Sequence, residues 1–157
     1  MGKRLLWHNF WIKFMATGAG TGYGPLVSGT YGSLVGVVMF MAMIGWPRWL
    51  FLITVMGLTA LGIWVSDEAE RLFEKKDPSY VVIDEIIGLL IAMLFLPFRV
   101  KYVLIAFFVF RVMDVIKPYP ARQGQELHGG LGIVIDDVVA GIYTGIIVLI
   151  LTFIFKI

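Results

Sequence analysis

Five carboxylates lie inside apolar runs of this chain, in the segments VVIDEIIG, FRVMDVIKPYP and GIVIDDVVAG. They are Asp84, Glu85, Asp114, Asp136 and Asp137. Hydrophobic residues make up 59% of the chain and the mean hydropathy is +0.88, values typical of an integral membrane protein. An unpaired Asp in mid-membrane costs about 2.5 to 3.5 kcal/mol. The five acids therefore need compensation, which a divalent cation or a position at the water boundary can supply.

Several classes of protein are excluded by composition. The absence of Cys excludes thiolate nucleophiles, disulfides and thiolate metal sites. A net charge of +2 without a run of Lys or Arg gives no support for nucleic acid binding. The first segment, MGKRLLWHNFWIKFMATG, lacks the short apolar core and small-residue cleavage site of a signal peptide. Its aromatic and basic residues predict a helix that lies in the membrane interface.

The remaining apolar segments predict one all-α domain over residues 1–157, a polytopic bundle of four to five membrane helices. The predicted spans cover about residues 30–46, 49–66, 79–96, 102–116 and 135–155. The second span is expected to continue as a solvated helix until Asp77-Pro78. The third and fourth are short, so that pair either crosses a thin region or forms a re-entrant hairpin.

Threading five spans alternately puts all five acids at one face of the membrane. Nine basic residues are predicted at that face and four at the other. The nine are Lys3, Arg4, Lys13, Arg71, Lys75, Lys76, Arg111, Lys117 and Arg122, and the four are Arg48, Arg99, Lys101 and Lys156. By the positive-inside rule, the acids open to the cytoplasm. Gly88 and Gly141 each follow an acid by one helical turn, so two helices can approach closely and bring their acids face to face.

Carboxylates from three helices suit metal-assisted phosphoryl chemistry. Mg²⁺ prefers oxygen ligands, and it can polarise a phosphoryl oxygen and lower the pKa of an attacking water. The predicted metal ligands are Asp84, Glu85, Asp136 and Asp137, and Asp114 completes the predicted catalytic acids.

Basic and hydroxyl side chains near these acids are candidates for holding phosphate. Lys117 and Arg122 can neutralise its charge, and Arg111 and Thr30 are further candidates. His128, which precedes two glycines, can protonate a departing alkoxide.

Plainer interpretations of the same residues remain open. The acid pairs can be helix N-terminal acids that interact with the helix dipole. Asp114 can simply pair with Arg111 or Lys117, three residues away on either side. Lys117 and Arg122 can be cytoplasmic membrane anchors, and His128 can be a solvated loop residue.

Four blocks, taken together and in order, resemble the phosphatidylglycerophosphatase A family. They are GTGYGPLVSGTYGSL, DPSYVVIDEIIG, FRVMDVIKPYP and HGGLGIVIDDVVAG, and the resemblance covers nearly the whole chain. It implies a Mg²⁺-dependent phosphatase, multi-pass in the bacterial inner membrane, that converts phosphatidylglycerophosphate to phosphatidylglycerol. The functional residues that it implies are Asp84, Glu85, Asp114, Asp136 and Asp137, with Lys117 and His128 in the adjoining motifs. Ser28 departs from the family, which often has Pro there.

Two other functions are considered. A small cation transporter or channel predicts acids throughout the membrane depth, whereas here the opposite face has none. A lipid phosphotransferase that uses a CDP-lipid would carry an Asp-Gly-x-x-Ala-Arg core, which this chain lacks.

Overall fold

The computed structural model describes residues 2–25 and 27–156, with side chains from Arg4 onward, and this part of the chain is helical without strands. The helices are α1 (Gly2–Ala16), α2 (Ser28–Ala42), α3 (Arg48–Phe73), α4 (Ile83–Met93), α5 (Val100–Ile116), α6 (Ala121–Gly124) and α7 (Gly130–Phe155), and a 3₁₀ turn covers Thr21–Tyr23. The side chain of Lys3 in the predicted basic face and Leu26 in the Gly-rich block lie outside the described residues. The all-α prediction is confirmed.

Each of the five predicted spans corresponds to a helix, but only two of these helices are long and apolar enough to cross a membrane. These are α3 and α7, which have 26 residues each. At about 1.5 Å per residue they are about 39 Å long, whereas α4 is about 16 Å and is too short for a core of about 30 Å. The predicted number of four to five membrane helices therefore stays a prediction.

The short helix α4 lies at the centre of the bundle and packs mainly against α7 and α2. Its residues from Ile86 to Met93 are buried, because all sides of the helix are apolar and all are covered. A methyl group on Gly88 would lie 2.8 Å from the Asp137 backbone oxygen, and Gly141 lies against the Gly88 carbonyl. Close approach at these glycines brings the acid-bearing turns of α4 and α7 together, as the spacing of small residues predicts.

The amino-terminal end of α7 is fixed against α3. The Gly130 N–H donates a hydrogen bond to Asp67 Oδ1 at 3.4 Å, and Asp67 also pairs with Arg71 at 2.7 Å. Asp136 and Asp137 lie two turns further along α7, about 10 Å from Gly130. This contact positions the start of α7 against α3, two turns before both acids.

Candidate active site

A pocket of about 330 Å³ gathers the predicted acids. The starts of α2 and α4, the end of α5 and the second turn of α7 surround it. Its lining residues are Val27, Ser28, Gly29, Asp77, Ser79, Val81, Asp84, Glu85, Arg111, Asp114, Lys117, Ile133, Asp136 and Asp137. All five acids therefore reach one cavity together with two cations, although they come from three separate parts of the chain.

Three of the carboxylates form a cluster that can hold a cation. One oxygen from each of Asp84, Glu85 and Asp137 lies within 4.8 Å of the other two. Asp84 is 8% exposed and Asp137 is 2% exposed. Asp84 Oδ1, Glu85 Oε2 and Asp137 Oδ1 are buried and have no hydrogen-bond partner among the described residues. Buried carboxylate oxygens without partners are unfavourable, so this cluster fits a bound divalent ion.

The helix dipole accounts for only part of this cluster. Asp84 and Glu85 lie in the first turn of α4, where the dipole favours negative charge. Asp136 and Asp137 lie beyond the first turn of α7, in which no acid occurs. The interpretation as helix N-terminal acids therefore applies to one pair and does not apply to the other.

Asp136 has different partners from the other acids. Its Oδ2 accepts hydrogen bonds from Lys117 Nζ at 2.6 Å and from Gln125 Nε2 at 2.9 Å. Lys117 ends α5 in the left-handed region, with φ of 48°, and this turn directs the chain toward α7. The predicted role of Asp136 as a metal ligand stays a prediction, because the three-carboxylate cluster does not include it.

The charge of Lys117 is maintained by its surroundings. Burial acts to lower the pKa of the Lys117 ammonium. The hydrogen bond and negative charge of Asp136, together with the charges of Asp114 and Asp137, outweigh burial and raise the pKa above its ordinary value. Lys117 is thus a permanent cation in the pocket at neutral pH.

Asp114 and Arg111 form an ion pair on α5, with 2.6 Å between Arg111 Nη1 and Asp114 Oδ2. This is one of the two plainer pairings expected for Asp114. Arg111 also faces the start of α2, since a methyl group on Gly29 would lie 2.8 Å from Arg111 Nη1 and 3.0 Å from Glu85 Cδ. Only a glycine at position 29 lets α2 approach the acids this closely.

Three predicted site residues lie outside the pocket. Thr30 is in the first turn of α2, where its N–H donates to the Val27 carbonyl at 3.1 Å. Arg122 in α6 and His128 before α7 are exposed, and neither lines the cavity. Ser28, the departure from the family pattern, does line it. The roles predicted for Thr30, Arg122 and His128 gain no geometric support.

Gln125 is the polar contact that sequence reasoning missed. It lies in the loop RQGQELHGG, where several polar residues are equivalent by sequence, so no local signal distinguishes it from Gln123. A cavity of about 350 Å³ on the loop side is lined by Gln125 and shares Asp77 and Ile133 with the acid pocket. Gln125 therefore lines the loop-side cavity and contacts Asp136 of the acid pocket.

Comparison with known proteins agrees with these features. The sequence model of the family Phosphatidylglycerophosphatase A matches residues 14–152. A Phosphatidylglycerophosphatase A of Escherichia coli is 35% identical over 142 residues, which cover 89% of this chain and 82% of that protein. The Haemophilus influenzae protein of the same name is 34% identical over 142 residues, covering 87% of this chain and 86% of that protein.

A Bacteroides thetaiotaomicron protein provisionally named phosphatidylinositol-3-phosphatase is 33% identical over 148 residues, covering 89% of this chain and 92% of that protein. No solved structure gives a significant match. The family match spans the four blocks and all five predicted site acids. The chain belongs to the Phosphatidylglycerophosphatase A family of phosphatases.

Proposed function

We propose that this protein removes the terminal phosphate of phosphatidylglycerophosphate to give phosphatidylglycerol, with Mg²⁺ as its cofactor. The observation that carries the proposal is the cluster of Asp84, Glu85 and Asp137, whose buried oxygens face a pocket that also holds Arg111 and Lys117. Family membership supports phosphatase chemistry, and two relatives bear the corresponding name. The transporter alternative gains no support from these relatives.

The three carboxylates fit Mg²⁺ by their chemistry. They offer hard oxygen ligands, since one oxygen of each lies within 4.8 Å of the other two. Each of the three also has a buried oxygen without a hydrogen-bond partner among the described residues. When bound, Mg²⁺ supplies Lewis-acid activation of a phosphoryl oxygen and neutralises part of its charge. The protein contributes the fixed positions of the ligands, since the tight crossing of α4 and α7 holds Asp84 and Asp137 in place.

The two cations of the pocket orient the phosphate. Lys117 Nζ is held by Asp136, so it stays in the pocket as a fixed point charge. Arg111 is held by Asp114 and presents a fork of donors that suits two phosphate oxygens. Asp136 and Asp114 therefore each position a cation that binds the phosphate.

Membrane placement follows from the nature of the substrate. The acyl chains stay in the bilayer while the terminal phosphate enters the pocket, so we place the site at the headgroup level with α3 and α7 as spans. The excess of basic residues at the end that carries the acids supports an orientation with this end in the cytoplasm of a bacterial cell, at the inner membrane.

A phosphate-release assay tests this proposal directly. The full chain is reconstituted in lipid nanodiscs and supplied with phosphatidylglycerophosphate, with phosphatidylinositol 3-phosphate, or with a soluble phosphomonoester. We expect release from the first lipid, abolition by chelator, and recovery with added Mg²⁺. Asp137→Asn should lose activity, while Glu126→Gln, a change at an exposed acid outside the pocket, should not. Faster phosphate release from phosphatidylinositol 3-phosphate would change the substrate that we assign. Phosphate release in excess chelator would overturn the assignment of Mg²⁺ as cofactor.

A further inference from the structure

The outward face of α1 is apolar and uncovered. Leu6, Trp7, Phe10 and Phe14 recur at helical spacing and are 41–70% exposed. On the opposite face Ile12 and Ala16 are buried, because the second half of α1 packs against α3. The helix is thus apolar on two sides, and α3 covers only one of them.

Cations flank this uncovered face. At 100° per residue, Lys13 lies along one edge of the face and Arg4 along the other. Lys13 Nζ lies 5.2 Å from the centre of the Phe73 ring at the end of α3, which fixes this edge near the polar loops. The sequence of α1 contains no carboxylate. Aromatic rings beside basic side chains suit the boundary of an anionic lipid surface.

We propose that the outward face of α1 is a membrane-binding surface that lies in the headgroup layer of anionic lipid. The inference rests on the membrane placement proposed above. A second copy of this chain is a poorer occupant, because a two-fold contact would bring Arg4 and Lys13 toward their own copies without an acid on either helix. Phosphates of anionic lipid complement both cations, and the aromatic rings suit the boundary between headgroups and acyl chains.

This surface is attached to the acid pocket through the backbone. The carbonyl of Ala16 accepts a hydrogen bond of 2.8 Å from the N–H of Val82, which precedes Asp84 by two residues. A methyl group on Gly18, in the turn after α1, would lie 3.1 Å from Val82 Cγ2. Binding of α1 to lipid therefore sets the depth of the first turn of α4, and with it the depth at which a lipid phosphate meets Asp84 and Glu85.

Nitroxide labels measure this depth, and the native chain contains no Cys to interfere. Three single-Cys variants of the full chain are labelled in nanodiscs of phosphatidylglycerol and phosphatidylcholine: Phe10→Cys on α1, Ile150→Cys on α7, and Gln123→Cys on α6. All three positions are exposed. We expect the labels at 10 and 150 to be more accessible to oxygen than to a water-soluble nickel complex, and the label at 123 to show the reverse.

The three labels separate the possible failures. If the labels at positions 10 and 150 were both more accessible to the nickel complex than to oxygen, the membrane placement itself would be overturned. If the label at position 150 were accessible to oxygen and the label at position 10 to the nickel complex, only the role of α1 would be overturned. Dipolar broadening of the spectrum of the label at position 10 would also overturn that role, because it would indicate contact with a second copy. Charge is tested by Arg4→Glu with Lys13→Glu, which should move the label at 10 outward in anionic nanodiscs and leave it unmoved in pure phosphatidylcholine. If the label at position 10 had the same depth in anionic and in phosphatidylcholine nanodiscs, with and without the two charge substitutions, the preference of α1 for anionic lipid would be refuted.

Discussion

Replacing Gly88 by Ala adds one methyl group where α4 lies in close contact with both α5 and α7. The new Cβ would lie 2.6 Å from two ring atoms of Phe110 and 2.8 Å from the backbone oxygen of Asp137. Ordinary contact begins at 3.4 Å, so the neighbours must move by about 0.6 to 0.8 Å. Phe110 is fully buried and the other obstacle is helix backbone, so neither can turn aside. The carboxylate of Asp137 must therefore move relative to those of Asp84 and Glu85.

The size of this displacement gives the expected loss of activity. Metal ligands tolerate deviations of about 0.2 Å, and a misplacement of about 1 Å can cost about 100-fold in rate. We expect phosphate release by Gly88→Ala to fall about 10- to 100-fold, with a higher Mg²⁺ concentration needed for half-maximal activity. Overpacking should also lower the melting temperature, at a cost of about 1–3 kcal/mol. Activity is measured well below that melting temperature, over a series of Mg²⁺ concentrations.

A matched substitution in an open helical position controls for the added methyl group. A Cβ on Gly57 in α3 would meet no atom within 4 Å. Gly57→Ala should therefore keep full activity and gain up to about 1 kcal/mol from helix propensity. If Gly88→Ala matched Gly57→Ala in activity, Mg²⁺ dependence and melting temperature, close packing of α4 on α7 would not position the acids.

Three further predictions concern the polar groups of the pocket. Asp137→Asn should weaken Mg²⁺ binding at least 10-fold, whereas Asp136→Asn should mainly raise KM because it releases Lys117. Calorimetry measures Mg²⁺ binding by both variants, and equal losses of affinity would place Asp136 among the ligands. Gln125→Leu should raise KM about 3- to 10-fold, while the exposed Gln123→Leu should not, and steady-state kinetics compare the two. Because the pKa of Lys117 is raised above its ordinary value, the contribution of its pair with Asp136 should be fully present at pH values below the ordinary pKa of lysine and be lost as the pH rises through the raised pKa. The difference in melting temperature between wild type and Lys117→Met should then be constant from pH 7 to 9, and a decline over that range would contradict this ionisation.

Local sequence signals were sufficient for the helices and for the acids. Apolar segments of helical length predict α2, α3, α5 and α7, because each must bury or cover a long run of apolar side chains. Acids within such runs are costly, so their positions alone indicate a compensated site. The limits of α4 are less predictable, since the span expected at residues 79–96 is a helix of only 11 residues.

Partners within the pocket could not be predicted in the same way. Asp136 and Asp137 are adjacent and equally apolar in context, yet one accepts hydrogen bonds from Lys117 and Gln125 while the other joins Asp84 and Glu85. Successive residues on a helix point about 100° apart, so the arrangement of neighbouring helices decides what each one meets. Arg122 and His128 have the chemistry expected of site residues, but the path of the loops leaves them outside.

By itself, the sequence determined the helical class, the family and the set of acids, because these depend on composition, on periodicity within single segments and on the order of motifs. Only the tertiary structure decided which carboxylates cluster together and which pair with a Lys or an Arg. It also decided that the outward face of α1 stays uncovered, since α1 is apolar on both sides and its sequence does not show which side meets α3. The physical reason is the same in each case: contacts between segments far apart in the chain depend on helix rotation and close packing, which no single segment encodes.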